Sequence, residues 1–202
     1  MQKQGKIYVY SNANGVNFIM LKRYEKFLKD LDKRLNSYYE LHKGYLYCKK
    51  GCTECCEIGE YPFSRLEAEY IMSGFIKLNP EKQVIIKENI KNLLEQKKNN
   101  TDSRFTYRCP FLIDKECSLY KYRGLVCRTF GLAYVSNGKV VLPECVNSGL
   151  NYSSIYSNFS GEILLDNPVM EDLHIDKLLK NKFAENLELE CGEIRPLIEW
   201  FS

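Results

Sequence analysis

The sequence predicts an α+β protein that is mainly α, with helices packed around an irregular, cysteine-rich metal region and one small β-hairpin. Three observations support this fold class. Apolar residues recur every three or four positions over long stretches, cysteines fall into two dense regions, and Asn137-Gly138 separates two short apolar runs. With 202 residues and no repeat or linker, the chain is predicted to be one domain, 1–202, whose cysteine-motif region 48–145 has helical extensions on both sides.

The N-terminal part of the chain is predicted to change from strand to helix. A short strand is expected over residues 6–10, and the polar residues 11–15 indicate a turn. From about Phe18 to His42 the apolar residues recur at three and four, which predicts a long amphipathic helix.

Two further helices are marked by their start signals. The stretch Ser64-Arg65-Leu66-Glu67 is a capping box, and the helix that it starts should end near Leu78. Asn79 and Pro80 then suit the N-cap and the first position of the next helix. These helices separate the two cysteine regions.

The C-terminal half is predicted to contain turns, a hairpin and more helix. A polar turn at 114–116 should fold Cys109 and Cys117 toward each other, and Asn137-Gly138 is a strong signal for a two-residue hairpin loop. A last long helix is expected over about 168–189, with Cys191 at its end as a packing residue. A short tail helix should close the core with Leu197, Ile198 and Trp200.

The cysteines carry the strongest chemical signal. Four of the nine fall within residues 48–56, and thiolates are soft ligands that favour zinc, copper(I) or iron–sulfur clusters. Cys52-x-x-Cys55 has the spacing of a metal knuckle, and Gly51 can adopt the backbone angles of its turn. In an extended segment the adjacent Cys55 and Cys56 would point to opposite faces. They would then serve two ions or two irons of a cluster, or one would be a free thiol.

A disulfide framework with redox exchange, or a set of inert core thiols, remains an alternative. No apolar signal segment with a cleavage site opens the sequence, so the cytoplasm is the expected compartment. Thiols stay reduced there, and nine cysteines cannot all pair within one chain. Metal or cluster binding is therefore the preferred interpretation.

Whole-chain composition limits the partners. A formal net charge of +3 is too small to predict nucleic-acid binding. The sequence contains no run of about 18 apolar residues, so no membrane span is predicted. The expected partners are a metal ion or cluster and a protein. His42 and His174 are the only histidines, and both are expected on helix surfaces, so histidine-dependent catalysis is poorly supported.

The two cysteine regions together resemble the YkgJ-like cysteine-cluster family, described as zinc- or iron-chelating and often labelled iron–sulfur proteins. The first region has the dense run that ends in Cys55-Cys56. The second has Cys109-Pro110, then Cys117 with Tyr120, then Arg123 and Cys127-Arg128. The similarity covers about residues 48–145. It departs from the family pattern in the three-residue gap after Cys48 and in Gly124 and Gly131, where proline is usual.

The resemblance and the cysteine spacing together give a candidate site. The predicted metal ligands are Cys48, Cys52, Cys55, Cys56, Cys109, Cys117, Cys127 and Cys145. Arg123 and Arg128 are expected to offset the negative charge of the thiolates as cofactor-binding residues. The expected cofactor is an iron–sulfur cluster or Zn.

Three functions are consistent with that site. The first is a cytoplasmic metalloprotein with a redox or protein-modification role. The second is a non-enzymatic zinc-binding accessory or interaction module. The third is a protein-modifying enzyme, because flagellin lysine-N-methylases are similar in their cysteine pattern. The sequence leaves open whether the protein is an enzyme.

Overall fold

The computed structural model describes residues 18–49, 51–156 and 172–202. Of the described residues 53% are helical, and the strands described form only two-stranded antiparallel pairs. The prediction of a mainly α protein with small β elements is therefore confirmed. The strand predicted over 6–10, the turn over 11–15 and the helix start at Asn167-Pro168 lie outside the described residues.

The element bounds are as follows. The α-helices are α1 (Phe18–His42), α2 (Glu54–Glu57), α3 (Arg65–Phe75), α4 (Pro80–Asn99), α5 (Leu125–Thr129), α6 (Ile175–Leu178) and α7 (Lys182–Asn186). Short 3₁₀ helices cover Lys43–Tyr45, Tyr120–Tyr122, Glu144–Ser148 and Leu197–Phe201. The strands are β1 (Pro62–Ser64), β2 (Leu112–Ile113), β3 (Glu116–Cys117), β4 (Tyr134–Ser136), β5 (Lys139–Val141) and β6 (Ile194–Pro196).

The predicted starts of α1, α3 and α4 are confirmed. Helix α1 has the predicted bounds, and α3 opens on the capping box, in which the Ser64 side chain accepts from Glu67 N and the Glu67 side chain accepts from Ser64 N. The Asn79 side chain accepts a hydrogen bond from Lys82 N at the start of α4, with Pro80 as its first residue. Each side chain satisfies backbone donors that the first helical turn leaves unpaired.

Two hairpins and one long-range pair make up the β structure. Asn137 and Gly138 have φ values of 50° and 74°, as a two-residue loop between β4 and β5 requires. The predicted polar turn at 114–116 also closes a hairpin, because Asp114 and Lys115 both have positive φ and β2 pairs with β3. Strand β1 pairs with β6, which ties the start of α3 to the C-terminus.

The prediction of one long helix over 168–189 was wrong in its described part. His174 has extended backbone angles, and only Ile175–Leu178 and Lys182–Asn186 are α-helical. The Asn181 side chain accepts a hydrogen bond from Ala184 N and so starts α7 as a new helix. The spacing of the apolar residues predicted one continuous helix, but the cap at Asn181 interrupts it in the structure.

The core has two main parts. In one part, α1 packs its buried face against α3, α5 and the segments from Leu173 to Ala184. In the other, α3 and α4 pack against the 3₁₀ helix Leu197–Phe201, so the tail closes the core as predicted. Three thiols, Cys109, Cys117 and Cys127, lie against this second part.

His42 does not lie on the helix surface, as the sequence had predicted. It is 1% exposed, and its Nδ1 lies 2.7 Å from the Tyr152 hydroxyl. The ring meets Tyr152 edge-on beneath the turn that leads to the first cysteine. The buried polar contact explains why a polar residue can end the buried face of α1.

Candidate metal centre

A tight turn and a short helix present the first cysteine run. Gly51 has a φ of +88°, and Cys52 N donates to Lys49 O across 3.0 Å. Helix α2 then carries Cys55 and Cys56, whose sulfur atoms lie 3.9 Å apart. The two side chains therefore do not point to opposite faces, because the segment is helical and not extended.

Backbone hydrogen bonds bring the second cysteine region to α2. Cys109 N donates to Cys56 O across 2.8 Å, and Gly59 and Tyr107 form an isolated antiparallel bridge. The hairpin at 112–117 then returns Cys117 to the same side, and α5 supplies Cys127. The turn at 114–116 thus has the effect on Cys109 and Cys117 that the sequence predicted.

The last cysteine of the motif comes from the 3₁₀ helix Glu144–Ser148, which packs against α2. Cys145 lies near the start of this helix, where the strand returning from the β4–β5 hairpin delivers it. The eight predicted ligands therefore approach one region of the molecule from separate local structures.

The thiols divide into two groups that meet at Cys55. Burial raises the pKa of Cys48, Cys109, Cys127 and Cys145, and neighbouring thiols raise it further. A thiolate at Cys52 or Cys55 would raise the pKa of Cys48 and Cys145. A thiolate at Cys117 or Cys55 would raise the pKa of Cys109 and Cys127. We call Cys48, Cys52 and Cys145 the first group, and Cys109, Cys117 and Cys127 the second group.

Five thiols of the two groups, those of Cys48, Cys109, Cys117, Cys127 and Cys145, have a raised pKa and hold their protons at neutral pH. Burial is the main cause, and it raises the pKa of Cys145 to about 11 and that of Cys127 to about 12. Within the described ranges, no three cysteine, histidine or carboxylate side chains already stand in position to hold one metal ion. A metal must therefore displace protons from these thiols and draw the sulfur atoms together.

Several sulfur atoms already accept N–H donors. The backbone N–H of Phe111 donates to Cys109, and that of Leu119 donates to Cys117. Asn151 donates its backbone N–H to Cys145 and its side-chain Nδ2 to Cys48, the latter across 3.0 Å. Such donors stabilise a thiolate over a thiol, so these surroundings fit a thiolate-bound metal.

The two predicted arginines lie in different surroundings. The Arg123 charge favours the thiolate forms of Cys55, Cys117 and Cys127, and its guanidinium lies 4.0 Å from the ring centre of Tyr120. Its Nε is buried and has no hydrogen-bond acceptor among the described residues. The Nε–H of Arg123 is thus a buried donor that no described acceptor satisfies, and it lies close to the thiols. It lies before α5, so it does not share a helical face with Cys127.

Arg128 is 6% exposed and points to α1. Its Nη1 donates to both carboxylate oxygens of Asp32 across 2.6 Å, and its Nε donates to the Arg123 carbonyl across 3.1 Å. This arginine therefore holds α1 against the segment that carries Arg123.

Three residues beside the centre were missed by sequence reasoning. Asn151 is 1% exposed and also donates to Gly131 O, and a Cβ at Gly131 would lie 3.0 Å from Cys48 Sγ. The Tyr39 hydroxyl donates to the carbonyls of Arg128 and Phe130. The available signal was the glycine at 131, where the resembled family has proline. A φ of +89° is closed to proline.

Cys191 lies apart from the other eight cysteines. Its sulfur donates to Leu189 O and it packs against the core around α1, as a packing residue would. All nine cysteines are free thiols in the structure, so the disulfide alternative finds no support in it.

One comparison with known proteins identifies the cysteine region. Residues 47–146 match a family described as "CxxCxxCC: putative zinc- or iron-chelating domain". No curated protein and no solved structure matches the chain. Among the helices of the described ranges, none has the length and apolar character that a membrane crossing needs. Residues 47–146 therefore belong to the CxxCxxCC family, which is described as zinc- or iron-chelating.

Proposed function

We propose that the protein is a cysteine-ligated metalloprotein of the cytoplasm, and that it holds an iron–sulfur cluster in a redox role. The observation that carries the proposal is the position of Cys55 on α2, which lies close enough to thiols of both groups that a thiolate there would raise their pKa values. A single thiol between two sets of thiols suits a polythiolate centre and has no evident use in a protein core.

The proposed ligands are the eight cysteines of the motif. The first group and the second group each supply three sulfur atoms, and Cys55 and Cys56 on α2 supply the remaining two at their junction. This count is enough for two four-thiolate centres. Arg123 would donate its unused Nε–H to the centre, and Arg128 would position Arg123 through its carbonyl.

Two features favour redox chemistry over a purely structural metal. Cys48 is exposed and the other motif thiols are only partly buried as residues, so a bound cluster would lie near the surface where electrons can be exchanged. The main core is built from buried apolar residues of α1, α3 and α4 and does not need a metal to form. An iron–sulfur cluster held by these thiolates would supply one-electron chemistry.

A zinc-binding interaction module is the second candidate. The Cys52-x-x-Cys55 turn and the backbone N–H donors to Cys109 and Cys117 also suit a closed thiolate zinc site. In this case the exposed tyrosines beside the motif, Tyr47 and Tyr120, would contact a protein partner.

The two candidates are separated by purification without oxygen, followed by assays of metal and acid-labile sulfide. Iron with sulfide and a broad absorption band near ~400 nm would support the redox centre. Colourless protein with stoichiometric zinc would support the interaction module instead. Protein with neither metal, and with the eight motif cysteines paired as disulfides, would contradict both candidate functions.

Cysteine variants test the ligand set. We expect Cys127→Ser and Cys52→Ser to lower the metal content, because each removes a member of one group. Cys191→Ser is the matched control, since it removes a thiol of similar burial outside the motif. If Cys191→Ser removes as much metal as Cys127→Ser does, the ligand set is wrong.

A further inference from the structure

A second cluster of functional side chains lies outside the cysteine centre. The Tyr134 hydroxyl lies 3.0 Å from His174 Nε2, and His174 Nδ1 lies 2.8 Å from Asp172 Oδ1. The two rings meet edge-on, with centroids 5.1 Å apart. These contacts form a hydrogen-bonded chain of tyrosine, histidine and aspartate.

Strand β4 and a backbone turn fix this chain in place. Tyr134 and Ser136 lie on the same face of β4, because side chains alternate along a strand. Ser136 Oγ donates to Asp172 Oδ2 across 2.8 Å, and His174 N donates to Asp172 Oδ1 across 3.0 Å. Burial alone would raise the pKa of Asp172, but the hydrogen bonds from His174 and Ser136 bring it below its ordinary value.

The ionised Asp172 carboxylate decides the direction of the other hydrogen bonds. It can only accept, so His174 carries its proton on Nδ1. In the tautomer with its one proton on Nδ1, the ring has a lone pair on Nε2, to which the Tyr134 O–H donates. With its own proton engaged, the Tyr134 oxygen offers lone pairs and is an acceptor for a further partner.

Tyr134 and His174 both line a cavity of about 210 Å³. The rest of its wall is mainly apolar, with side chains that include Val126, Phe130, Leu132, Val141 and Leu173. Among the described residues that line the cavity, Glu144 is the one acidic residue and none is a lysine or arginine. The volume lies below the range of roughly 300–1,000 Å³ that is usual for drug-sized ligands, so only a small molecule fits.

We propose that this cavity binds a small primary ammonium compound with an apolar body. The apolar wall takes the hydrocarbon part, the Tyr134 oxygen accepts from the ammonium group, and the Glu144 carboxylate matches its charge. A carboxylate ligand is disfavoured, because it would meet Glu144 and an acceptor oxygen. Val126 and Glu144 directly precede Cys127 and Cys145, so the bound compound lies beside the metal centre.

Three four-carbon probes test the head-group selectivity on the full-length chain, with its metal content left as purified. The probes are n-butylamine, n-butanol and n-butyrate at neutral pH, and binding is followed through the methyl signals of Leu132, Val141 and Leu173. We expect saturable shifts with n-butylamine, weaker binding of n-butanol, and no saturable shift with n-butyrate. No saturation with the amine, or equal binding of n-butyrate, overturns the proposal. The metal centre does not enter this comparison, so its outcome is independent of the proposed redox role.

Variants test the hydrogen-bonded chain itself. Tyr134→Phe should weaken n-butylamine binding by roughly 10–100-fold, as the loss of a hydrogen bond from a charged donor usually does. Tyr120→Phe is the control, since Tyr120 is exposed and outside the cavity. Asp172 is a positioning residue, so Asp172→Asn should remove the Nδ1–H preference of His174 in long-range ¹H–¹⁵N spectra. If both variants leave binding and the tautomer unchanged while circular dichroism shows intact folding, the three hydrogen-bonded residues only stabilise the β4–β5 hairpin. The proposal then fails.

Discussion

The side-chain amide of Asn151 lies 3.0 Å from the sulfur of Cys48, although 103 residues separate them in the chain. The same amide group donates to Gly131 O across 2.8 Å, and Asn151 Oδ1 accepts from Tyr47 N across 2.7 Å. One buried side chain therefore joins the first cysteine to the segment that follows α5. We infer that Asn151 sets the position of Cys48 for metal binding.

Asn151→Asp should weaken metal retention by roughly 10–100-fold, as the loss of a group that orients a ligand usually does. The substitution removes the two N–H donors and places a carboxylate beside a thiolate. Competition with a chelator measures the loss. Asn92→Asp, on the exposed face of α4, adds the same charge away from the site and should leave retention unchanged. Equal retention in the two variants would show that Asn151 has no part in the centre.

Gly131→Ala should lower both stability and metal retention. The residue has a φ of +89°, and a Cβ there would lie 2.7 Å from Asn151 Nδ2 and 3.0 Å from Cys48 Sγ. Strain of this kind costs about 1–3 kcal/mol, which a urea titration can resolve. Gly44→Ala is the control, because nothing lies within 4 Å of a Cβ at that position. A Gly131→Ala protein as stable as the Gly44→Ala protein would contradict the structure here.

Arg123 and Arg128 should separate into two phenotypes. Arg123→Ala should reduce metal retention by roughly 10–100-fold while thermal unfolding changes little, because the side chain faces the thiols and not the core. Arg128→Ala should instead destabilise the fold by about 2 kcal/mol, since it leaves Asp32 and two backbone carbonyls without their donor. Chelator competition and thermal melts on both proteins distinguish these outcomes. Loss of metal in neither variant would place both arginines outside the site.

Glu67 should make the free energy of unfolding fall as the pH rises above the ordinary pKa of a glutamate. The carboxylate is fully buried and accepts from Ser64 N, Ser64 Oγ and Leu125 N. Burial raises its pKa in spite of these hydrogen bonds. The folded chain therefore holds the proton more tightly than the unfolded chain does, and the stability that this provides is present at low pH and is lost as the group ionises.

Glu67→Gln should remove this contribution, since an amide does not ionise and can still accept from Leu125 N. Urea titrations at pH 4.5 and 7 should show the variant gaining stability relative to the parent as pH rises. Glu95→Gln, on the exposed face of α4, is the control and should show no such change. A stability difference between Glu67→Gln and the parent that is constant with pH would mean that folding leaves the pKa of Glu67 unshifted.

Local signals in the sequence were enough for several elements. The capping box at Ser64 and the Asn79-Pro80 start are decided by residues within one helical turn, and both are present in the structure. The loop at Asn137-Gly138 is equally local, because its φ values depend on those two residues. The family of the cysteine region could also be predicted, since the spacing of its cysteines is itself the recognisable feature.

By itself, then, the sequence determined the helix starts, the hairpin loops and the family of the cysteine region, because each depends on neighbouring residues. Only the tertiary structure decided that Asn151 contacts Cys48, that Arg128 faces Asp32 and that His42 is buried. It also decided that Tyr134 meets His174 beside a cavity. These contacts join residues 40 to 110 positions apart, and side-chain periodicity carries no information about which distant surfaces pack together.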